Sequence, residues 1–303
     1  MVGNSINFLT GYVGLAGRPN VGKSSLMNQA IGKQVSIVTK RKQTTRNPVL
    51  GIFSSPDCQI AFLDNPGIDF KNSLLLNKRL KKIAFSNVAH TNLNIVMLEA
   101  TKLLADDRKI LQNMPNEIPL LIVLNKVDKI RNTQQKEAMY KMVAELEKFK
   151  PLEIIPISVK RNYQIDLLIK KIKQNLPVGE APFKKTSITD RDLKFRVSEI
   201  IRKNIINCVG DEIHYHLAVE VTNIEEDPDL SFLRRIEATI YTSKSSHKPI
   251  LIGERGRKLK IIRLRSTKEL KNIFQGDVHL SLWVKLVSCW NKNSALLDNM
   301  GIS

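Results

Sequence analysis

From Phe8 to about Leu176, short apolar runs alternate with polar stretches of helical spacing. The runs Tyr12-Val13-Gly14-Leu15-Ala16, Gln59-Ile60-Ala61-Phe62-Leu63, Ile118-Pro119-Leu120-Leu121-Ile122-Val123-Leu124 and Ile154-Ile155-Pro156-Ile157 are short, apolar and rich in β-branched residues, which predicts strands. Between and after them, residues 23–31, 73–90, 105–113, 133–149 and 163–175 carry the helical period. Strand and helix in alternation predict an α/β fold with three layers and a mostly parallel sheet, over residues 1–176.

The alternation stops at Leu176-Pro177-Val178-Gly179-Glu180-Ala181-Pro182, whose prolines and glycine mark residues 177–188 as a linker. A second, smaller domain is expected over 189–290, with 291–303 as a tail. Thr189-Asp190 is expected to cap a helix running to about Asn207, and residues 214–222 and 233–242 alternate as antiparallel strands. Two apolar helical pieces then flank Gly253-Glu254-Arg255-Gly256, and residues 278–286 alternate as a final strand. If Ser245 or Ser246 caps the short helix before the glycines, Pro249 falls at its first turn, where a missing N–H costs little. The order α-β-β-α-α-β around a G-x-x-G turn is that of an α+β type II KH domain. Its two glycines let a nucleic-acid backbone approach, and the next helix directs its N-terminus and basic residues at phosphates. Gly253, Glu254, Arg255, Gly256, Arg257, Lys258 and Lys260 are the candidate RNA-binding residues.

The first domain carries more specific chemistry. Gly17-Arg18-Pro19-Asn20-Val21-Gly22-Lys23-Ser24 is a complete G-x-x-x-x-G-K-[ST] loop between a strand and a helix that continues through Ser25. Glycines at both ends let successive backbone N–H groups curl around phosphates, Lys23 reaches the outer phosphates, and the Ser24 hydroxyl can ligate Mg²⁺. The loop alone does not choose a base. Asn125-Lys126-Val127-Asp128, at the end of an apolar strand, does: the Asp128 carboxylate can accept from N1–H and the exocyclic amine of guanine, whereas adenine has no donor at N1. Ser158 and Val159 follow the next strand and are placed to hold the guanine loop. Asp64-Asn65-Pro66-Gly67 ends another strand, with Asp64 serving Mg²⁺ through water and the Gly67 N–H facing the γ-phosphate. Gln43-Thr44-Thr45-Arg46 supplies a hydroxyl for Mg²⁺ once GTP orders the loop, and Thr45 is favoured over Thr44.

A Ras-like enzyme orients its attacking water with a glutamine after the switch glycine, but that position is Ile68. Asn20 offers a carbonyl acceptor beside the phosphates, and a potassium ion bound there would supply charge. Catalysis is therefore expected to rest on Asn20, Lys23, Thr45 and Gly67, with GTP/GDP, Mg²⁺ and K⁺ as ligands.

Charge adds a partner class. The formal net charge of +19 over 303 residues calls for a polyanion, either nucleic acid or an anionic membrane surface. Basic residues cluster at Arg255, Arg257, Lys258, Lys260, Arg263, Arg265, Lys268 and Lys271, interrupted only by Glu269, and again at Lys40-Arg41-Lys42 with Arg46. Cys58, Cys208 and Cys289 are far apart and argue for a reducing compartment without a disulfide framework. His214 and His216 read as one face of a strand and not as a metal site. No apolar run has the length of a membrane span, and the N-terminus has no signal-peptide pattern, so a cytoplasmic location is expected.

These motifs, in this order along essentially the whole chain, resemble the Era family of bacterial GTPases; Ile188-Thr189-Asp190-Arg191 and Leu282-Trp283-Val284-Lys285 are further points of likeness. The resemblance implies a small-subunit (30S) ribosome assembly factor whose KH domain binds the 3′ end of 16S rRNA, with peripheral association at the inner membrane. A monomer with no DNA partner is expected. Departures are Asn65 for threonine, Val159 for alanine, Ser25 for threonine, and Glu254-Arg255 inside the G-x-x-G turn. Two other classes compete: a membrane-surface regulatory GTPase, and an RNA-binding scaffold with a weakly active GTPase domain.

Overall fold

The computed structural model describes residues 8–41, 44–70, 75–210, 213–226 and 233–287. Lys42, Gln43, Cys289 and the expected tail lie outside them. The chain divides into two compact units, the first ending at Asp190 and the second beginning at Arg191.

In the first unit a six-stranded sheet runs β2-β3-β1-β4-β5-β6. Its strands are β1 (Leu9–Ala16), β2 (Val49–Ser54), β3 (Cys58–Asp64), β4 (Leu93–Glu99), β5 (Leu120–Asn125) and β6 (Glu153–Pro156). All neighbours are parallel except β2, which pairs antiparallel with β3. Five helices accompany them: α1 (Lys23–Ile31), α2 (Leu75–Val88), α3 (Ala105–Gln112), α4 (Thr133–Leu146) and α5 (Ile165–Lys173). Ala84 and Val88 of α2, Ile110 and Leu111 of α3, and Met142 and Leu146 of α4 bury one face of β4 and β5 through Val96, Leu98, Ile122 and Leu124. The alternate residues Ile95, Met97, Leu121 and Val123 are buried as well. Register carries that second face from Leu93 through Val13 and Phe62 to Gly51, where α1 packs with Met27 and Ile31. Coverage on both faces is why these strands are continuously apolar in sequence.

The β2 strand was not visible in the periodicity, because Gly51 interrupts its apolar run at the point where α1 approaches most closely. Residues 177–188, expected as a linker, lie along this unit. Thr10 N donates to the Pro177 carbonyl at 3.0 Å and Ile52 N to that of Ile188 at 2.9 Å. Between these points Phe183 exchanges two backbone bonds with the Gln59 amide.

The second unit holds α6 (Leu193–Cys208), β7 (Leu217–Glu226), β8 (Leu233–Thr242), α7 (His247–Ile252), α8 (Arg257–Phe274) and β9 (Asp277–Leu286). The sheet order is β7-β8-β9, antiparallel then parallel. Val197, Ile201 and Ile205 on α6 and Ile262 and Leu270 on α8 pack on Val219, Ala238, Ile240 and Leu280. The helix is capped by Asp192, whose carboxylate accepts from Phe195 N at 2.7 Å, and not by Thr189 or Asp190. The first strand starts at Leu217 instead of residue 214, because residues 213–216 form a 3₁₀ turn that the His216 ring anchors to the Ser243 hydroxyl at 3.0 Å. It continues past Thr222 because a bulge between Val221 and Asn223 absorbs the break in alternation. Pro249 is the third residue of α7, behind Ser246, and its carbonyl accepts from Gly253 N at 2.8 Å.

Among the described residues no helix is long and apolar enough to cross a membrane, and no group of three or more His, Cys, Asp or Glu could hold a metal. Cys58 and Cys208 are free thiols.

Candidate nucleotide site and candidate nucleic-acid interface

The parallel strands β1, β3, β4, β5 and β6 deliver their carboxyl ends to one edge of the first unit, where α/β sheets bind ligands. A cleft of about 300 Å³ opens there, lined among others by Asn20, Lys23, Ser24, Thr45, Gly67 and Lys126. The loop from β1 to α1 turns through positive φ at Gly17 (143°), Asn20 (64°) and Gly22 (112°), and α1 then starts at Lys23 with no side-chain cap. An anion at its free N–H groups would complete it.

Lys23 Nζ donates to the carbonyls of Gly17 and Arg18 at 3.0 and 3.1 Å. Burial lowers its pKa to about 8, against the pull of the Asp64 charge. The Arg18 side chain turns away to Asp107, leaving its backbone to the loop. Asn20 Nδ2 donates to the Lys40 carbonyl at 3.0 Å, tying the phosphate loop to the following switch segment.

Asp64 is fully buried. Its Oδ2 accepts from Ser24 Oγ at 2.5 Å and Ser36 Oγ at 2.9 Å, while its Oδ1 is buried without a hydrogen bond. Burial pushes this carboxyl above the ordinary carboxylate value, opposed by the Lys23 charge and the three hydroxyls of Ser24, Ser36 and Thr45. Thr45 Oγ1 lies 3.1 Å from Ser24 Oγ, whereas Thr44 is spent on Thr39 and the Arg41 carbonyl. An orphaned carboxylate oxygen beside two hydroxyls is a hard-oxygen donor set, and Ser24, Thr45 and Asp64 fit Mg²⁺. Gly67 sits so close to the loop that a Cβ on it would meet Pro19 Cα at 2.7 Å. Ile68 is buried in the core with Ala16 and Leu98 and presents nothing to water.

On the base side, Asn125 is buried and welds three segments. Its Nδ2 donates to the Val21 carbonyl at 2.8 Å, and its Oδ1 accepts from Lys126 N at 2.7 Å and Val159 N at 3.1 Å. Asp128 is exposed and accepts from Ser158 Oγ at 2.5 Å; that bond holds its carboxyl below the ordinary range. A charged acceptor facing solvent suits the two donors on the guanine edge.

Sequence reasoning missed three residues of this site. Ser36 shares Asp64. Asp107 holds Arg18. Glu99 ends β4 and faces Lys102, Lys126 and Lys129 at 3.6, 3.4 and 3.4 Å; its burial pushes the carboxyl up, and the three ammonium groups outweigh that. Only Glu99 had a signal, an acid closing the apolar run of residues 93–99.

In the second unit the G-x-x-G turn takes positive φ at Gly253 (72°), Arg255 (48°) and Gly256 (76°). A Cβ on Gly253 would meet the Lys258 Cβ at 2.7 Å, so glycine is required there on two counts. Glu254, Arg255, Arg257 and Lys260 are exposed on this turn and the first turn of α8, with Lys258 half-buried between them.

Comparisons with known proteins cover both units. A family model described as a 50S ribosome-binding GTPase matches residues 12–126, and a KH-domain model matches residues 212–291. GTPase Era of Nitrosomonas eutropha is 31% identical over 97% of this chain and 98% of its own length. The crystal structure of a variant of Aquifex aeolicus Era bound to GDP·AlF₄⁻ superposes with a TM-score of 0.91 at 32% identity, covering 98% of this chain and 100% of that one. Era in complex with MgGDPNP and nucleotides 1506–1542 of 16S ribosomal RNA gives 0.91 at 33% identity, covering 98% and 99%.

Proposed function

The chain belongs to the Era family of GTPases, and from that premise we propose that it is a GTP-hydrolysing switch that binds the 3′ end of 16S rRNA and assists 30S subunit assembly. One observation carries the GTPase part: the buried Asp64 oxygen without a hydrogen bond, next to the Ser24 and Thr45 hydroxyls and the desolvated Lys23. A protein keeps an orphaned buried carboxylate oxygen where a ligand satisfies it. When bound, Mg²⁺ neutralises charge on the phosphates. Lys23 exchanges its two carbonyl partners for the outer phosphates, the N–H groups from Gly17 to Ser24 cradle them, and Asp128 selects guanine. Gly67 N–H faces the γ-phosphate. Ile68 is committed to the core and orients no water, and Asn20 Oδ1 would hold a potassium ion that supplies positive charge beside the phosphates.

The GTPase unit spans residues 1–176, followed by the connecting stretch 177–188, the KH domain 189–290 and the tail 291–303. The KH turn and the start of α8 take RNA phosphates through Arg255, Arg257, Lys258 and Lys260. The protein works in the cytoplasm, and its positive charge supports peripheral contact with the inner membrane. GTP turnover in potassium and in sodium buffer, with and without an oligonucleotide matching the 3′ end of 16S rRNA, tests the reading. Turnover faster in potassium and raised by the RNA is expected. Measurable turnover indifferent to both would remove the potassium and RNA parts and leave a plain GTPase.

A further inference from the structure

Four of the five residues from Lys78 to Lys82 on α2 are cations, and the helix contains no acid. The buried positions Leu80, Ala84 and Val88 set the inward line of α2. At 100° per residue their mean lies along Ala84, and Lys78, Arg79 and Lys82 then stand about 120°, 140° and 160° from it on the outer face, with Lys81 about 60° away at the edge of the core side. Lys78, Arg79 and Lys82 are exposed, and Lys81 is half-buried with its ammonium 5.0 Å from the Phe70 ring centre. The same ring receives Lys109 of α3 at 5.6 Å, which adds a fifth cation to the patch.

Local physics disfavours this arrangement. Like charges three and four residues apart on a helix repel by roughly 0.2–0.5 kcal/mol per pair, and Lys78 with Lys81, Lys78 with Lys82 and Arg79 with Lys82 are such pairs. No ion pair offsets this: among the described residues Lys78, Arg79, Lys81, Lys82 and Lys109 have no acidic partner within 4.0 Å. Compositional drift toward lysine would leave mixed faces, as on α4, where Lys136 and Lys141 alternate with Glu137 and Glu145, or on α5, whose lysines sit in the last turn where the dipole favours them. Among the described helices of eight or more residues, α8 has seven cations against one acid and α6 four against one, with Arg202 and Lys203 of α6 paired to Glu199 and Glu269, whereas the four cations of α2 face no acid on their own helix.

We propose that the exposed face of α2, with Lys78, Arg79 and Lys82 at its centre and Lys109 beside it, is a second RNA-docking surface that takes the phosphate backbone on the GTPase unit itself. The proposal rests on the RNA-binding reading above and extends it to a surface distinct from the KH turn.

The test uses the full chain and an RNA of the sequence of nucleotides 1506–1542 of 16S rRNA. Wild type is compared with K78E/R79E/K82E and with K136E/K141E/K170E, which makes the same charge change on α4 and α5. Affinity is measured across potassium chloride concentrations, with GDP affinity as the check of folding. The α2 variant is expected to bind RNA at least about tenfold more weakly, and its plot of log affinity against log salt to be shallower by about two, which is about 0.7 for each of three lost phosphate contacts. Its basal GTP turnover is unchanged while stimulation by the RNA is lost, and the control variant changes affinity by less than about threefold. Equal losses in the two variants would reduce the effect to net charge and overturn the proposal. So would unchanged RNA binding together with lost sedimentation on phosphatidylglycerol vesicles, which would make the patch a membrane surface. A wild type that does not bind the RNA at all would instead defeat the RNA-binding reading beneath it.

Discussion

Asp107, buried at the start of α3, holds the Arg18 side chain of the phosphate loop, its Oδ1 2.6 Å from Arg18 Nε and its Oδ2 accepting from Leu104 N at 2.9 Å. The side chains are 0% and 13% exposed, so this is an interior pair. Its effect reaches Lys23, because the Arg18 carbonyl is one of the two groups holding Nζ.

Removing one partner strands the other charge. Asp107→Leu is expected to destabilise the protein by about 3 kcal/mol, and Arg18→Leu/Asp107→Leu by less than the sum of its single changes. Urea denaturation of the four proteins measures this. Strictly additive values would mean that the pair does not hold the loop.

Asn125→Ala removes three hydrogen bonds at once and leaves the Val21 carbonyl and the Lys126 and Val159 N–H groups to find new partners. At about 1 kcal/mol for each, a loss near 3 kcal/mol is expected, with GDP affinity falling by about a hundredfold as the phosphate and base loops separate. Calorimetric titration with GDP reads the second effect. A normal affinity in a destabilised protein would show the weld to be structural only.

For Gly67→Ala, the new Cβ has Pro19 Cα and N at 2.7 and 2.8 Å, so the switch must move off the phosphate loop. Single-turnover hydrolysis is expected to drop by more than about tenfold with GDP binding nearly unchanged, because displacement of a positioning group costs rate before it costs affinity. A parallel loss in both would place Gly67 in ground-state binding.

Ser158 controls the acid limit of guanine recognition. Its hydrogen bond holds the Asp128 carboxyl below its ordinary value of 3.8. A depressed folded-state value means that the stabilisation from charged Asp128 is fully present above 3.8 and is lost as pH falls through the lower folded value. Wild-type affinity for a fluorescent GDP is therefore flat from neutrality to about pH 4.5 as far as this group decides it. In Ser158→Ala the decline sets in at higher pH than in wild type, and coincident curves would discount the bond.

The nucleotide motifs were legible because each is a local device. The spacing from Gly17 to Ser24 sets the curl of the loop within eight residues, and Asn125 to Asp128 needs only the strand before it. The KH unit was legible for the same reason, since positive φ at Gly253 and Gly256 and the period of α8 are fixed nearby. The start of β7 and the cap of α6 were not, because the Ser243 contact and the competition among Thr189, Asp190 and Asp192 are settled by packing.

Sequence alone thus determined which phosphate loop, base-reading carboxylate and basic turn this protein carries, since those follow from bonds and dihedrals a few residues apart. The tertiary structure decided what they touch. That Asp107 meets Arg18 across 89 residues, that Asn125 meets Val21 across 104, and that Thr45 lies nearer Ser24 than does Thr44 depend on the order β2-β3-β1-β4-β5-β6. Neighbours in that sheet are chosen by burial of both faces at once, a global condition that no local window of residues contains.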